Sequence, residues 1–426
     1  MNSPTDSTQP LQTDILIIGG GVIGVCVAYY LRQRGASVTL VEKGEIASGA
    51  SYGNAGWVVP SHSIPLPTPD AVKNGLKWML NPASPFYIKP RLDLDLFSWL
   101  LKFALAARHE PMHRAIPVLR DLNLGSRYLF DELAAVPGLH FDYHQQGMLM
   151  AYKTGEGYAG AKHEAELLHR YGLTCELLNA DQTLALAPML KPDLSGGLFF
   201  PDDAHMNPAL FVRNLAAHAQ AMGVTILTHT EVTGFEVDAG HIKTVQTNNG
   251  VNGAIAAQQV VLAAGAWSPL VARELKLRLP VQAGKGYSVT MNRPANAAAF
   301  PIGLAEARVV TSPFANSFRL AGTMELGGIN LDKNQRRVDA IVRAARDNFD
   351  GLEDVATTEV WQGLRPCTPD GLPVIDRAPH LKNLILATGH AMMGLSLGPI
   401  TGKLVAQLAC GETPSIDLSL LRADRF

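Results

Sequence analysis

The stretch Asp14-Ile15-Leu16-Ile17-Ile18-Gly19-Gly20-Gly21-Val22-Ile23-Gly24 decides the fold. Its first five residues form an apolar, β-branched run, the pattern of a parallel strand buried on both faces. Three glycines follow, and a helical pattern then runs from Val22 to Arg34 until Gly35 stops it. Val38 to Val41 is a second buried strand and ends at Glu42. In this β-α-β unit Gly19 permits the tight turn. Gly21 lets backbone approach a pyrophosphate, and Gly24 lets helix and strand pack closely. The phosphates would meet free N–H groups and the positive end of the helix dipole. Glu42, 18 positions after Gly24, would accept hydrogen bonds from both ribose hydroxyls and repel a 2′-phosphate. The triplet, its flanking strand and helix, and the terminal acid together predict an α/β fold with a Rossmann-like dinucleotide domain.

The motif alone leaves FAD and NAD open. Its place at the N-terminus, with further strands of the sheet returning much later, suits the extended FAD. Val260 to Ala263 reads as one such strand, and Ala264-Gly265-Ala266 after it would let the chain pass close to the cofactor. Leu384 to Ala387 is another, followed by Thr388-Gly389-His390 and a helix from about Gly398 to Cys410. Between these lie a proline-dense stretch from Pro60 to Pro90 and helical patterns at Leu92 to Ala107, Leu119 to Ala135 and Val338 to Phe349. Asn207-Pro208 has the N-cap and N1 signature of a helix, and strands are expected at Val281 to Met291 and Phe318 to Thr323.

Composition narrows the function. Hydrophobic residues make up 47% and charged residues 17%, below the usual ~25% charged, so the chain has ample material for a core. A net charge of −2 leaves no electrostatic footprint for nucleic acid. Cys26, Cys175, Cys367 and Cys410 form no CxxC pair, and no metal site is expected. Met1 to Gln12 has neither the basic start nor the apolar stretch of a secretory signal and reads as a disordered arm. The expected compartment is the cytoplasm, with peripheral contact at the inner membrane left open. Phe97 to Ala107 is the hydrophobic stretch on which that contact would depend; its bland alternative is a helix buried on the second domain. His62 and His205 lack metal-ligand spacing and read as bland.

Three further segments carry a resemblance. They are Ser48-Gly49-Ala50-Ser51 with Asn54-Ala55-Gly56, Trp361-Gln362-Gly363-Leu364-Arg365-Pro366, and Thr388-Gly389-His390 with Gly394. With the glycine turn and Lys285-Gly286-Tyr287-Ser288, they resemble the FAD-dependent D-amino-acid oxidase and glycine oxidase superfamily, bacterial D-amino-acid dehydrogenases above all. The resemblance covers about Asp14 to Gly411. It implies a Rossmann-like FAD-binding domain from residues 13–66, 145–280 and 360–411. A mixed-sheet α+β substrate domain would come from 67–144 and 281–359, making both domains discontinuous.

It also implies roles. Arg365 would bind the substrate carboxylate in a two-pronged pair, and Tyr287 would add a hydroxyl to it or cap the pocket. Gly389, His390 and Gly394 would lie along the flavin, with His390 on the substrate-site wall and the following helix aimed at the pyrimidine end of the ring. Ser48 and Ser51 would reach the pyrophosphate or ring, and Asn54, Ala55 and Gly56 would touch the flavin. FAD would be noncovalent, because Cys367 stands at a different offset from the attachment cysteine of sarcosine oxidases.

The expected reaction is oxidation of an amino acid's Cα–N bond to an imine, which water opens to a 2-oxo acid. A D-amino acid is the leading substrate, including D-proline or a hydroxy-D-proline, and a quinone the leading electron acceptor. Sarcosine or glycine, or a 2-hydroxy acid, would use the same anchor. A non-catalytic FAD-binding or RNA-modifying subunit is the alternative of another class. Handedness is not encoded in these motifs.

Overall fold

The computed structural model describes residues 10–69, 71, 86–248 and 253–426. The expected N-terminal arm falls largely outside these residues, as does much of the proline-dense stretch. Strand β1 is Leu11–Ile18, helix α1 is Val22–Gln33 and strand β2 is Val38–Val41. β1 lies in the interior of the first sheet, paired in parallel with β2 on one side and with Ala254–Leu262 on the other. Leu384–Thr388 pairs in parallel with residues 260–262, and Thr225–Leu227 with β2.

Alternation explains why β1 reads as one apolar run. Ile15 and Ile17 face a core built with α1, Pro208–Ala221, Gly398–Ala409 and part of His109–Ala134. Leu16 and Ile18 face a second core formed with Leu275, Leu279 and the antiparallel strands 232–247. A Cβ on Gly402 would come within 2.6 Å of the Cys26 backbone, so the last helix lies directly against α1. Asn207 caps Pro208–Ala221 as its sequence indicates: the side-chain Oδ1 accepts from Leu210 N–H at 3.2 Å.

The second sheet runs in the order Thr357–Cys367, Gln282–Asn292, Ser317–Leu326, Val309–Pro313, Ile302–Leu304, Met148–Tyr152, Gly196–Phe200, Glu176–Asn179. Here the pairing departs from the expected boundaries. Residues 148–200, expected within the FAD-binding domain, contribute three strands to the second sheet, where Met148–Tyr152 pairs in parallel with Ile302–Leu304. Thr357–Cys367 also belongs there. Conversely, the His109–Ala134 helix buries Leu119, Leu122, Phe130 and Leu133 in the core of the first sheet. No helix among the described residues is long and apolar enough to cross a membrane.

Candidate active site

A cleft of about 2560 Å³ runs between the two sheets, lined by the glycine turn, residues 48–55, 263–267, 363–366 and 390–396. It exceeds the roughly 300–1,000 Å³ of ordinary small-ligand pockets. One end is built by the N-terminal unit. Gly19, at φ +117°, passes the Ala263 carbonyl so closely that a Cβ would sit 2.5 Å from its oxygen. A Cβ on Gly24 would collide with the Gly19 carbonyl, which is the close helix–strand packing the motif implies. Gly21 is the N-cap of α1 and has no side-chain cap, leaving the helix N-terminus open to the cleft. Ser51 is buried and its hydroxyl accepts from Val22 N–H at 3.0 Å. Glu42 lines the cleft, with one oxygen taking Gly20 N–H at 2.7 Å and the other Gly44 N–H at 2.8 Å. Each oxygen retains a lone pair for a further donor.

Ser48, Asn54, Ala55, Gly265 and Gly394 also line the cleft, whereas Gly56 and Gly389 support its walls. Gly56, at φ +79°, lies against the Met206 carbonyl, and Asn54 Oδ1 accepts from its N–H at 2.8 Å. Gly389, at φ +81°, packs on Thr368. The open helix terminus, the backbone-lined turn and the adjoining carboxylate fit an extended dinucleotide.

The other end of the cleft holds Arg365. Its guanidinium lies over Gly286 on the neighbouring strand, where any Cβ would collide with it. Nη1 donates to the Thr323 carbonyl at 2.7 Å, and no described carboxylate pairs with the side chain. Burial pulls its proton affinity down, with nearby Cys367 opposing; an arginine in such a place still stays charged. Thr323 holds φ +60°, a strained value for a β-branched residue, at a bulge in the pairing with Gln282–Asn292. Its hydroxyl is buried without a partner. The backbone is thus bent to aim one carbonyl at Arg365, and a spare hydroxyl stands beside it.

One expectation changes, and another is narrowed. The Tyr287 side chain points to the face opposite Arg365, since side chains alternate along the strand, although residue 287 borders the cleft beside Gly286. The Tyr287 ring is 1% exposed, packs with Val289, Phe318 and Ile341, and its hydroxyl accepts Asn334 N–H at 3.2 Å. His390 contributes to the cleft wall, but its Nε2 is bonded to Thr401 Oγ1 at 3.0 Å. Burial drives its pKa to about 3, so it is neutral at physiological pH and not an acid or base there. Cys367 is buried beneath Arg365, where burial pushes the thiol up to about 11; it is not a reactive thiolate.

Thr323 and His62 were missed from the sequence. His62 lines the cleft after all; Ser61 and Trp57 beside it are near in the chain, but Asp203, which holds Ser61, is 142 positions from it. A buried Thr323 hydroxyl has no local signal.

Residues 14–408 match the sequence model of the FAD dependent oxidoreductase family. The chain is 33% identical over 422 residues to a D-amino acid dehydrogenase of Bradyrhizobium diazoefficiens, covering 97% of this chain and 98% of that one. It is 34% identical over 420 residues to a D-amino acid dehydrogenase of Paramagnetospirillum magneticum, again covering 97% and 98%. Among solved structures, glycine oxidase from Geobacillus kaustophilus superposes with a TM-score of 0.80 at 23% identity, over 98% of this chain and 99% of that one. L-proline dehydrogenase from P. horikoshii superposes with a TM-score of 0.78 at 20% identity, over 98% of each chain. At those identities the likeness is one of fold.

Proposed function

Since the chain belongs to the FAD-dependent oxidoreductase family, with FAD held noncovalently, we propose that it oxidises the Cα–N bond of a D-amino acid. The observation that carries the reading is Arg365, a cleft-side guanidinium laid over Gly286 with most of its five N–H donors unspent on the described protein. A carboxylate takes two of them in a parallel pair. The relatives named D-amino acid dehydrogenase support the handedness and the substrate class.

Bound FAD supplies the two-electron acceptor. This chain's part is to hold the substrate. Arg365 fixes the carboxylate, and the unpartnered Thr323 hydroxyl beside it stands available to a polar atom of the substrate. Such positioning contributes up to roughly 7–11 kcal/mol of a barrier. The product imine is opened by water to a 2-oxo acid and ammonia, while a cyclic substrate stops at a pyrroline. Ile88, Trp99 and Met324 form an apolar cluster next to Cys367 and Thr323, which suits an apolar or cyclic side chain such as that of D-proline. Anaerobic bleaching of the bound flavin by a panel of D- and L-amino acids tests the reading. Bleaching by D-amino acids that Arg365→Met abolishes supports it; bleaching unaltered by that substitution removes its basis.

The acceptor in this reading is a quinone at a membrane surface. The Leu94–Ala106 helix is anchored through Leu96 and Trp99, and its Trp99, Leu100 and Phe103 line the cleft. On its outer side Leu94, Phe97, Leu101 and Leu105 are exposed at helical spacing, Phe97 by 70%. One helix therefore joins the cleft to an apolar outer stripe of the kind that docks on lipid. The inner face of the helix packs on the second sheet through Leu96 and Trp99 against Met324 and Leu326, and only its outer stripe is left to lipid. Liposome binding lost in Phe97→Ser/Leu101→Ser, together with slowed reduction of a long-chain quinone and unchanged reduction of a water-soluble dye, is the expected result.

A further inference from the structure

Ser61, His62 and Asp203 form a hydrogen-bonded chain that ends at the cleft. Asp203 is 1% exposed. Its Oδ2 accepts the Ser61 hydroxyl at 2.5 Å and its Oδ1 the Ser61 N–H at 3.1 Å. With that hydroxyl proton committed to the carboxylate, the 3.0 Å contact between Ser61 Oγ and His62 Nδ1 is completed by an Nδ1–H donor. The imidazole therefore keeps a lone pair on Nε2. No described residue bonds Nε2, it is not among the buried unpartnered atoms, and His62 lines the cleft. The ring is held edge-on to Trp57, with centroids 5.6 Å apart, and the Trp57 indole donates to Ser312 Oγ at 3.0 Å. Val59 N–H donates to Ser396 Oγ at 3.2 Å, which ties this segment to the 390–396 wall. Nothing in the fold requires a histidine with a free nitrogen here.

We propose that His62, Ser61 and Asp203 are a proton relay that deprotonates the substrate ammonium before its Cα–H is transferred. The inference rests on the amino-acid reading above, because it needs an ammonium to act upon. The N–H bond of the ammonium breaks and its proton goes to His62 Nε2. The Nδ1 proton moves to Ser61 Oγ, and the Ser61 proton moves to Asp203 Oδ2. One proton has crossed, no electrons have moved, and His62 and Ser61 are again neutral. Reversal of the same transfers, with water in the cleft in place of the amine, resets the chain.

His62 touches the substrate in this scheme, and Asp203 stores the proton. Burial pushes the Asp203 carboxyl up to about 7, against the pull of the Ser61 hydroxyl and N–H bonds; Asp202 adds to the rise and Arg127 opposes it. Burial holds His62 near 4, so the imidazole passes the proton on rather than keeping it. A terminal acceptor near neutrality is matched to its task. His205, on the strand beyond Asp203, is likewise kept near 4 by burial and stays neutral.

The experiment compares wild type, Asp203→Asn, His62→Gln and Ser61→Ala as FAD-loaded protein. Wild-type flavin reduction is expected to rise through an apparent pKa near 7, since only the ionised carboxylate accepts. Asp203→Asn and His62→Gln should erase that limb and slow reduction by about 10²–10⁴-fold. Benzoate, a carboxylate without an amine, should bind all variants alike. Ser61→Ala leaves the acid in place and breaks only the bridge, so it decides the matter should Asp203→Asn fail to fold. An infrared band of a protonated carboxyl that titrates near pH 7 and vanishes in Asp203→Asn would support the relay independently of turnover. With wild-type bleaching intact, a Ser61→Ala enzyme that keeps the wild-type pH profile and rate overturns the relay and leaves the amino-acid reading standing. Absence of wild-type bleaching by any amino acid would instead defeat that reading.

Discussion

Arg319 and Arg365 lie on strands that both flank Gln282–Asn292, and burial lowers the proton affinity of both. Their surroundings differ in what has been done with the donors. Arg319 Nη1 serves the carbonyls of Tyr52 at 3.1 Å and Asn54 at 2.9 Å, Nε serves Thr290 Oγ1 at 3.1 Å, and Glu359 stands 4.0 Å from Nη2. Arg365 serves one carbonyl. The first guanidinium is spent on the loop at 52–56 that borders the cofactor end of the cleft. The second is held ready. A buried arginine is thus diagnosed by its unspent donors rather than by its burial.

The largest expected effect is that of Arg365→Met. Loss of a charge-assisted pair within a cleft costs about 2–5 kcal/mol, so kcat/KM should fall by roughly 10²–10³-fold or more while flavin content and melting temperature stay near wild type. Arg319→Met should do the converse. It strands two carbonyls, at about 1–3 kcal/mol each, and should lower stability in denaturant titrations by about 2–4 kcal/mol, with weaker FAD retention. An Arg319 variant that melts normally yet loses substrate binding would break the comparison. Gly286→Ala is next: its Cβ enters the space of the Arg365 guanidinium, and KM should rise about tenfold or more with little change in stability. Thr323→Gly is the smallest. Relief of the strained φ is worth about 1 kcal/mol of stability, and the lost hydroxyl should raise KM several-fold. A lower melting temperature in Thr323→Gly would show that no strain was stored there.

These contrasts also show what was legible in the sequence. The β1-α1-β2 unit could be read because strand, turn, helix and strand are contiguous and each has a local signal. Arg365 stood in a distinctive segment, and the structure places it on the cleft. The reading of Lys285-Gly286-Tyr287 looked to the tyrosine because it carries the chemistry, but alternation gives the cleft face to the glycine. Nothing local tells which sheet the strands of 148–200 join, because the partner of Met148–Tyr152, Ile302–Leu304, lies some 150 residues away. At His62 the sequence shows only the adjacent pair Ser61-His62; Asp203, which completes the chain, is 142 positions from Ser61.

β1 itself has a consequence for synthesis. It is made about 240 residues before its partner Ala254–Leu262, so one of its two edges waits for that strand. At roughly 5–20 residues per second, that edge stays unpaired for about 12–50 s. An apolar, β-branched edge left open for that long is the kind of strand that pairs with the wrong neighbour.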